Sequence, residues 1–367
     1  MKFTVLQGDL EKGINIVSKA ISARASLPVL SNVLIATDEG RLKLTATDLD
    51  KSITTWVGVK VDEEGAITVP AKIVADFVSN LPPTQIEGSL DSGILTLKSQ
   101  KAEATFNGID AAEFPMPHIG KGKVSVDIPS NSFQEALSEV SFSVANDESR
   151  PILTGVLLHF EKSKLTLVSV DGFRLSERVL FIEKEVKEPL DVVLPGRMLL
   201  EMSRILQSSK EVSLSLLSDE NVAVFEGGDV IATTRILDGN FPDYRKIIPE
   251  MSNVRVEVNQ EDLFNAVKIA NVFAKDAANV VKVQITPGEG LFLSSEAAEV
   301  GQNRTFVDAK VEGGKMEILF DGRYLNDFLS NVKAGDLVIE TEGALSPVVF
   351  KPVKRKDYLH IIMPRRP

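Results

Sequence analysis

A threefold internal repeat of about 125 residues constrains this 367-residue chain more than any other feature. A strand-like segment precedes a helical pattern three times, at 3–5 (FTV), 124–126 (VSV) and 254–256 (VRV). A later strand ends in TATD at 45–48, VSVD at 168–171 or SSEA at 294–297. A second helix then follows VPAK at 69–72, LPGR at 194–197 or FDGR at 320–323. Such a long period is typical of one domain copied in tandem and not of a short-period solenoid. It predicts three domains, at residues 1–120, 121–249 and 250–367.

Hydrophobic periodicity predicts two helices and several short strands in each copy. Apolar residues recur at helical spacing over 9–21, 71–81, 132–142, 196–207, 260–272 and 322–332. Period-2 alternation marks strands at 41–47, 94–98, 164–169, 212–216, 253–258 and 338–341. Six helices among about two dozen strands indicate an α+β fold with the helices segregated to one face of antiparallel sheets.

The stretch 238–249 (DGNFPDYRKIIP) marks the end of the second copy. Its two prolines restrict the backbone and favour an ordered, extended connector. Weaker versions of the phrase end the other copies, at 106–117 and 350–364. The apolar part of the tail, HIIMP at 360–364, is expected to dock on the folded chain because a disordered terminus rarely carries such residues together.

Composition excludes several classes of protein. The chain has no cysteine and three histidines, so disulfides and thiolate metal sites are excluded, and a histidine metal cluster or a Ser-His-Asp triad is disfavoured. We expect no metal, no cofactor and no catalytic residues. No apolar run reaches membrane-span length and no secretory signal is present, which favours a cytoplasmic protein. The net charge of −11 argues against a simple basic DNA binder, although a local basic surface fits within an acidic whole.

Potential phosphate loops and acid pairs have plain structural interpretations. The glycine pairs at 227–228, 288–290 and 313–314 lie between alternating segments and are interpreted as hairpin turns. Acid pairs such as Asp48 with Asp50 are typical of solvated turns in a chain with 52 acidic residues.

Basic residues on the helices are spaced seven apart, which returns them to nearly the same helical azimuth. The pairs are Lys12 with Lys19, Arg197 with Arg204, and Lys268 with Lys275. One interpretation is ordinary solvent-facing lysine and arginine on amphipathic helices. The other is a set of helices that present cations to one polyanion.

Two segments of the second copy, RPILTG at 150–155 and VDGFRL at 170–175, also have two interpretations. They could be core strands with a tight turn. Alternatively, exposed Leu153, Val170, Leu175, Pro242 and Ile247 could line an apolar groove for a partner peptide.

The whole chain resembles the bacterial sliding clamps, the β subunits of DNA polymerase III. The resemblance rests on LPVLSNVLI (27–35), ATDLD (46–50), SRPILTGVLL (149–158), VDGFRLS (170–176), DGNFPDYRKIIP (238–249), IIMPRR (361–366) and the threefold repeat. It implies a non-enzymatic processivity factor, a head-to-tail homodimer that closes into a ring around double-stranded DNA. Helices would line the hole and sheets would form the rim, in a cytoplasmic, nucleoid-associated protein.

The resemblance also assigns residues. Arg24, Lys72, Arg197 and Arg204 match DNA-facing positions, and the helical spacing adds Lys12, Lys19, Lys268 and Lys275. A groove for peptides of the clamp loader, the replicative polymerase and other clamp-binding proteins is implied at Leu153, Val170, Gly172, Phe173, Arg174, Leu175, Pro242, Lys246, Ile247, Tyr324, Ser346, Ile361, Met363, Pro364 and Arg365. The dimer interface is expected on strand 101–107 and at Val272 and Phe273. An unrecognised enzyme on a repeated α+β domain and a scaffold that never encircles DNA remain alternatives.

Overall fold

The structure, a computed structural model, describes residues 1–22, 27–117, 119–120, 122, 124–147, 149–217 and 220–366. These residues form six α-helices and 24 strands, and every strand pairing among them is antiparallel. This confirms the predicted α+β class.

The elements follow the threefold repeat. The first copy contains β1 (Lys2–Leu6), α1 (Gln7–Val17), β2 (Asn32–Asp38), β3 (Arg41–Thr47), β4 (Lys51–Gly58), β5 (Lys60–Glu63), β6 (Ala66–Pro70), α2 (Ala71–Ser79), β7 (Gln85–Asp91), β8 (Ile94–Lys98) and β9 (Glu103–Asn107). The second contains β10 (Val124–Pro129), α3 (Ser130–Val140), β11 (Gly155–Val170), β12 (Arg174–Pro195), α4 (Gly196–Ile205), β13 (Glu211–Leu217), β14 (Val222–Gly227) and β15 (Val230–Arg235). The third contains β16 (Val254–Asn259), α5 (Gln260–Ala274), β17 (Val280–Thr286), β18 (Gly290–Ala297), β19 (Gly301–Val307), β20 (Ala309–Glu312), β21 (Met316–Asp321), α6 (Gly322–Asn331), β22 (Asp336–Thr341), β23 (Val348–Pro352) and β24 (Tyr358–Ile362).

All six predicted helices are present, and local sequence explains where they begin. The side chain of Asn259 accepts hydrogen bonds from the backbone N–H groups of Glu261 and Asp262 at the start of α5. Asp321 caps α6 in the same way. Such caps satisfy N–H groups that have no partner within the helix. Three helices end in a tighter 3₁₀ turn, at 18–20, 141–143 and 206–208, which is why the apolar periodicity ran past their α-helical ends.

The second copy has fewer strands because two of them are long. The first half of β11, residues 155–160, pairs with 190–195 of β12, and the second half, 164–170, pairs with 175–181. In the first copy, β2 pairs with β6 and β3 pairs with β4 in the same arrangement. The register shifts around Lys162, whose φ of 52° lies in the left-handed region. The pairing pattern is therefore shared between the copies.

The contacts divide the chain into two compact units that do not coincide with the repeats. One unit contains Met1–Asn131 and Glu201–Ile236. It holds a five-stranded sheet, β5-β1-β7-β8-β9, and an eight-stranded sheet, β10-β13-β14-β15-β4-β3-β2-β6. The larger sheet crosses the repeat boundary where β15 pairs with β4. Helix α1 packs on β3, β4 and α2, with Leu10, Ile14 and Val17 fully buried.

The other unit contains Ser132–Leu200 and Leu237–Pro367. It holds a seven-stranded sheet, β11-β12-β24-β23-β22-β16-β20, and a four-stranded sheet, β19-β18-β17-β21. The larger sheet again crosses a repeat boundary, where β24 pairs with β12. The tail prediction is confirmed, because Tyr358–Ile362 is an interior strand of this sheet and His360, Ile361 and Ile362 are fully buried.

A buried ion cluster lies beside this second crossing. The Glu139 carboxylate accepts hydrogen bonds from Nη1 and Nη2 of Arg355 at 2.6 and 2.8 Å. It also lies 2.9 Å from Nε of Arg178. Asp357 pairs with both arginines. The Tyr358 hydroxyl donates to the Glu139 backbone carbonyl at 3.1 Å. Glu139 is 2% exposed and links the second copy to the third.

Two of the three glycine turns are hairpins, as predicted. Gly227 and Gly228 connect β14 to β15, and 288–290 connect β17 to β18. The prediction was wrong for Gly313 and Gly314, which connect β20 of the seven-stranded sheet to β21 of the four-stranded one. Alternation alone does not reveal which sheet the next strand joins. Among the described helices, none is long and apolar enough to cross a membrane.

Candidate functional site

The residues expected to bind a peptide all belong to the unit that contains 132–200 and 237–367. Four of them, Val170, Leu175, Ile247 and Ile361, lie in one apolar cluster. Val170 and Leu175 belong to neighbouring strands that pair with each other, and Ile361 pairs with Leu175 from the other side. The 3₁₀ turn at Tyr244–Ile247 holds Ile247 against them. The fold thus brings together residues that are up to 191 positions apart.

The expectation that the predicted apolar residues are exposed was wrong for three of them. Leu153, Val170 and Leu175 are at most 5% exposed. Val170 and Leu175 are buried because neighbouring strands and the 244–247 turn cover them. The apolar surface around the cluster is formed instead by exposed Pro242, half-buried Ile247, Met363 and Pro364, and Phe173 at 60% exposure.

A tight turn positions Phe173 for exposure. The carboxylate oxygen Oδ1 of Asp171 accepts from the backbone N–H groups of Phe173 and Arg174 at 2.8 and 2.9 Å. Gly172 has a φ of 95°, which residues with a Cβ rarely adopt. The Phe173 carbonyl accepts from the Met363 backbone N–H at 2.8 Å, so the turn is fixed to the tail. The Phe173 side chain therefore projects from a rigid base.

Arg174 is buried and supports the fold; it does not lie at the exposed edge of the apolar surface. It is 6% exposed, and its guanidinium pairs with Asp171 at 2.9 Å and with Asp327 at 2.7 Å. It also lies 4.6 Å from the ring centroid of Tyr324, which stacks on Phe173 at 6.4 Å. Arg174 thus links the turn to α6 and orients two aromatic rings.

The remaining predicted residues lie around the same region. Lys246 is exposed and pairs with Asp243 at 3.0 Å, and Ser346 is half-buried in the turn before β23. The Arg365 backbone N–H donates to the Leu319 carbonyl at 2.7 Å, and its guanidinium donates to the Ala278 carbonyl. Arg365 therefore anchors the C-terminal tail to the segments of the third copy that contain Leu319 and Ala278.

Sequence reasoning missed several members of the cluster. Ile152, Phe241 and Tyr244 pack on it, as does Val349 of β23. Phe241 and Tyr244 lie on either side of Pro242 in the 238–249 stretch, so their proximity to a predicted groove residue could have identified them from the sequence. No sequence feature identified Val349. Burial, and then the charge of Glu177, raise the pKa of Tyr244 to about 12, so its hydroxyl stays protonated near neutral pH.

Seven of the eight residues expected to face DNA are described, and Arg24 lies outside the described residues. All seven are exposed: Lys12 on α1, Lys19 in the 18–20 turn, Lys72 on α2, Arg197 and Arg204 on α4, Lys268 on α5 and Lys275 at its C-terminal cap. In the described part of the chain, no ion pair involves any of them. Lys12 lies on α1, which ends at Val17, and Lys19 follows in the adjoining 3₁₀ turn, so this pair spans two helix types.

These cations contrast with the arginines that support the fold. Arg174, Arg178 and Arg355 are all neutralised by carboxylates. Lys268 instead has its Nζ atom 3.7 Å from the centroid of the Phe264 ring, and Arg197 makes one weak contact of 3.5 Å to the Asn146 side-chain oxygen. An uncompensated cation on a helix surface can neutralise a phosphate without first losing an internal partner.

The residues expected at a dimer interface lie on an edge strand and near the C-terminal end of a helix. β9 is one of the two edge strands of the five-stranded sheet, with Phe106 buried against Phe77 at a ring distance of 5.7 Å. Val272, near the end of α5, is 63% exposed and Phe273 is half-buried. The described residues contain no group of three or more His, Asp or Glu side chains arranged to hold a metal ion.

Comparisons with known proteins cover the full chain. Models of the DNA polymerase III beta subunit match at residues 1–118 (N-terminal domain), 127–243 (central domain) and 245–366 (C-terminal domain). The beta sliding clamp of Synechococcus elongatus is 32% identical over 372 residues, covering 99% of each chain. That of Bacillus subtilis is 29% identical over 378 residues, covering 100% of each.

Solved structures agree. The Bacillus subtilis DNA polymerase sliding clamp superposes with a TM-score of 0.95 at 28% identity, over 100% of this chain and 99% of that one. A sliding clamp from Pseudomonas aeruginosa bound to griselimycin gives a TM-score of 0.94 at 26% identity, over 100% of both chains. The chain belongs to the family of DNA polymerase III beta subunits, the bacterial beta sliding clamps.

Proposed function

We propose that this protein is a non-catalytic processivity clamp. Two copies form a head-to-tail ring around double-stranded DNA, with helices lining the hole, and tether the replicative polymerase and other partners. A clamp loader, and not this chain, hydrolyses ATP. The protein works in the cytoplasm, associated with the nucleoid, and its repeats are bounded at 120/121 and 249/250.

The observation that carries the proposal is the set of seven exposed helix cations that form no ion pair with any described residue, in a chain of net charge −11. A ring holds DNA by topology, so its inner surface needs only modest attraction for phosphates. The acidic remainder of the surface disfavours non-specific DNA binding elsewhere. An enzyme would require a convergent polar site, and these cations are spread along helix surfaces.

We also propose that the apolar cluster and its rim bind short partner peptides. Exposed Phe173, on its fixed turn, and the half-buried Ile247, Met363 and Pro364 offer apolar contact above the buried residues of the cluster. Apolar peptide side chains buried there would each gain roughly 1.5–3 kcal/mol. Lys246 and backbone groups at the rim would orient the peptide. Interfaces commonly combine apolar anchors with a polar rim in this way.

Topology is tested with circular DNA. The loaded protein should remain on a nicked circle and leave when the circle is linearised. Equal loss from both forms would exclude the ring and favour a scaffold.

The role of the cations is tested separately. Reversing Arg197 and Arg204 to Glu should lower retention at low salt and slow loading, because two phosphate contacts become repulsive. Reversal of both Lys2 and Lys60, exposed strand residues paired with Glu63 and Asp62, is the control for the same change of charge. If both variants behave alike, the helix cations are ordinary solvent-facing residues.

A further inference from the structure

The chain joins its copies through two strand pairings of the same kind. At the first joint, β15 of the second copy pairs with β4 of the first, and Ala232 lies opposite Ile53. At the second joint, β24 of the third copy pairs with the 174–178 segment of β12, and His360 lies opposite Ser176. Each joint lies inside one of the two compact units. The two joints can therefore be compared residue by residue.

Backbone hydrogen bonds identify equivalent residues in the two joints. The Trp56 N–H donates to the Asp229 carbonyl at the first joint, and the Val179 N–H donates to the Asp357 carbonyl at the second. Both bonds lie three positions from the residue pair that defines the joint. Asp229 is therefore equivalent to Asp357.

The second joint is filled by the buried ion cluster of Glu139. Its two arginines come from different elements: Arg178 lies on β12, and Arg355 lies in the loop 353–357 between β23 and β24. Glu139, the penultimate residue of α3, contacts both guanidiniums. A helix, a strand and a hairpin loop are thus held together where the second copy meets the third.

The first joint has smaller, uncharged side chains at the corresponding positions. The penultimate residue of α1 is Ile16, where α3 has Glu139. Thr55 lies opposite the first residue of β15, just as Arg178 lies opposite the first residue of β24. Neither Ile16 nor Thr55 can form an ion pair.

The hairpin loop of the first joint is also shorter. Gly228 and Asp229 alone connect β14 to β15, whereas 353–357 connect β23 to β24. The shorter loop supplies no arginine. A cavity of about 420 Å³ remains, and Ile16, Thr55 and this loop are among the residues that line it.

Polar contacts at the cavity are weaker than those of the ion cluster. Asp229 pairs with Arg41 at 2.9 Å, but their side chains are 68% and 42% exposed. Exposed pairs of this kind contribute little to stability. The Thr55 hydroxyl donates to the Asp229 carbonyl at 3.0 Å. Side chains that line an unfilled space also lose the van der Waals contacts that a packed neighbour would give.

We infer that the first joint is the weaker of the two, so that β15 separates from β4 more readily than β24 separates from β12. The cavity is the cause, because it occupies the place where helix, strand and hairpin loop are held together at the second joint. A ring must open to admit circular DNA, and bending within the chain would then be concentrated at the first joint. This last consequence rests on the proposed function, whereas the difference in stability does not.

Hydrogen exchange followed by mass spectrometry compares both joints in one sample of the full-length protein. Loss of a buried ion pair typically changes an opening equilibrium by more than tenfold. Amides at 51–55 and 230–234 should therefore exchange at least about tenfold faster than those at 174–178 and 358–362, after correction for intrinsic rates. Equal exchange, or faster exchange at the second joint, would overturn the inference.

Filling the cavity tests its role directly. Ile16→Phe adds apolar volume at the cavity wall and should slow exchange at 51–55 and 230–234 by about 3- to 10-fold. Ser208→Leu fills the same cavity from the second copy and should act in the same direction, which keeps the test valid if one variant fails to fold. The matched control is Asn15→Phe, at the neighbouring exposed position on α1, which does not line the cavity. Slowing by the control as well, or by neither cavity variant, would show that the cavity does not weaken the joint.

Loading onto nicked circular DNA separates this inference from the proposed ring. Ile16→Phe should load at least about twofold more slowly than the unmodified protein and be retained equally well once loaded. Slowed exchange with unchanged loading would exclude the first joint as the point of bending. If the unmodified protein is not retained on circular DNA, the ring itself fails, and the exchange measurements still decide which joint is weaker.

Discussion

The buried Glu139 cluster gives a prediction whose magnitude follows from geometry. Glu139→Gln keeps the size of the side chain and removes its charge. The cluster of two carboxylates and two guanidiniums then becomes net positive at a site where the Glu139 and Arg178 side chains are 3% and 9% exposed, because Arg355 and Arg178 remain. Glu135, one turn earlier on α3, is exposed and provides a matched control variant, Glu135→Gln.

The expected cost lies at the lower end of the range for a broken buried ion pair. Removing one partner of such a pair typically costs 3–5 kcal/mol. Asp357 still contacts both guanidiniums, so we expect about 3 kcal/mol for Glu139→Gln and less than about 0.5 kcal/mol for the control.

Hydrogen exchange followed by mass spectrometry measures the loss of stability locally, around the substituted residue. A local measurement is needed because a chain of this size need not unfold in one step. At about 1.4 kcal/mol per tenfold, amides of β24 and the C-terminal half of α3 should exchange about a hundredfold faster in Glu139→Gln. Exchange equal to that of Glu135→Gln would refute the conclusion that this cluster stabilises the crossing between the second and third copies.

Two further predictions concern the same unit. Burial, and then the charge of Arg174, hold the pKa of His360 well below its ordinary value of 6.5, so the unfolded chain takes up a proton that the folded chain does not. The folded protein therefore keeps its full free energy of unfolding above pH 6.5 and loses up to about 1.4 kcal/mol for each pH unit below it. In urea titrations at pH 7.5 and 5.5, His360→Phe should reduce this dependence of the free energy of unfolding on pH. An unchanged dependence would contradict the prediction. Phe173→Ala should weaken binding of a fluorescent Leu- and Phe-containing partner peptide by about 5- to 100-fold in anisotropy titrations. Phe181→Ala should not weaken binding, although Phe181 is even more exposed, at 70% compared with 60% for Phe173. Equal effects of the two substitutions would argue against the proposed peptide site.

Local periodicity was enough to predict most of the elements. Each helix buries a stripe of apolar residues, as Leu10, Ile14 and Val17 do on α1, and several strands alternate, as in β16, where every second residue is buried. These patterns depend on backbone geometry within a few residues, so they are visible without the fold. Helix ends were less accurate, because the terminal 3₁₀ turns continue the apolar pattern.

The candidate peptide site was only partly predictable. Motif resemblance gave Val170, Leu175 and Ile361, but their burial depends on strands from the third copy that pair beside them. Val349 carried no local signal at all, since it joins the cluster only through the register of β23 with β24.

The sequence by itself determined the threefold repeat, the two helices of each copy and the positions of the helix cations. Tertiary structure decided how the copies are joined. In the sequence, Glu139 is indistinguishable from any acidic residue on an amphipathic helix. Its role follows from the fold, which places Arg355, 216 positions later, within hydrogen-bonding distance. Whether a carboxylate is solvated or buried depends on which distant strands cover it, and that is a property of sheet pairing that no local spacing records.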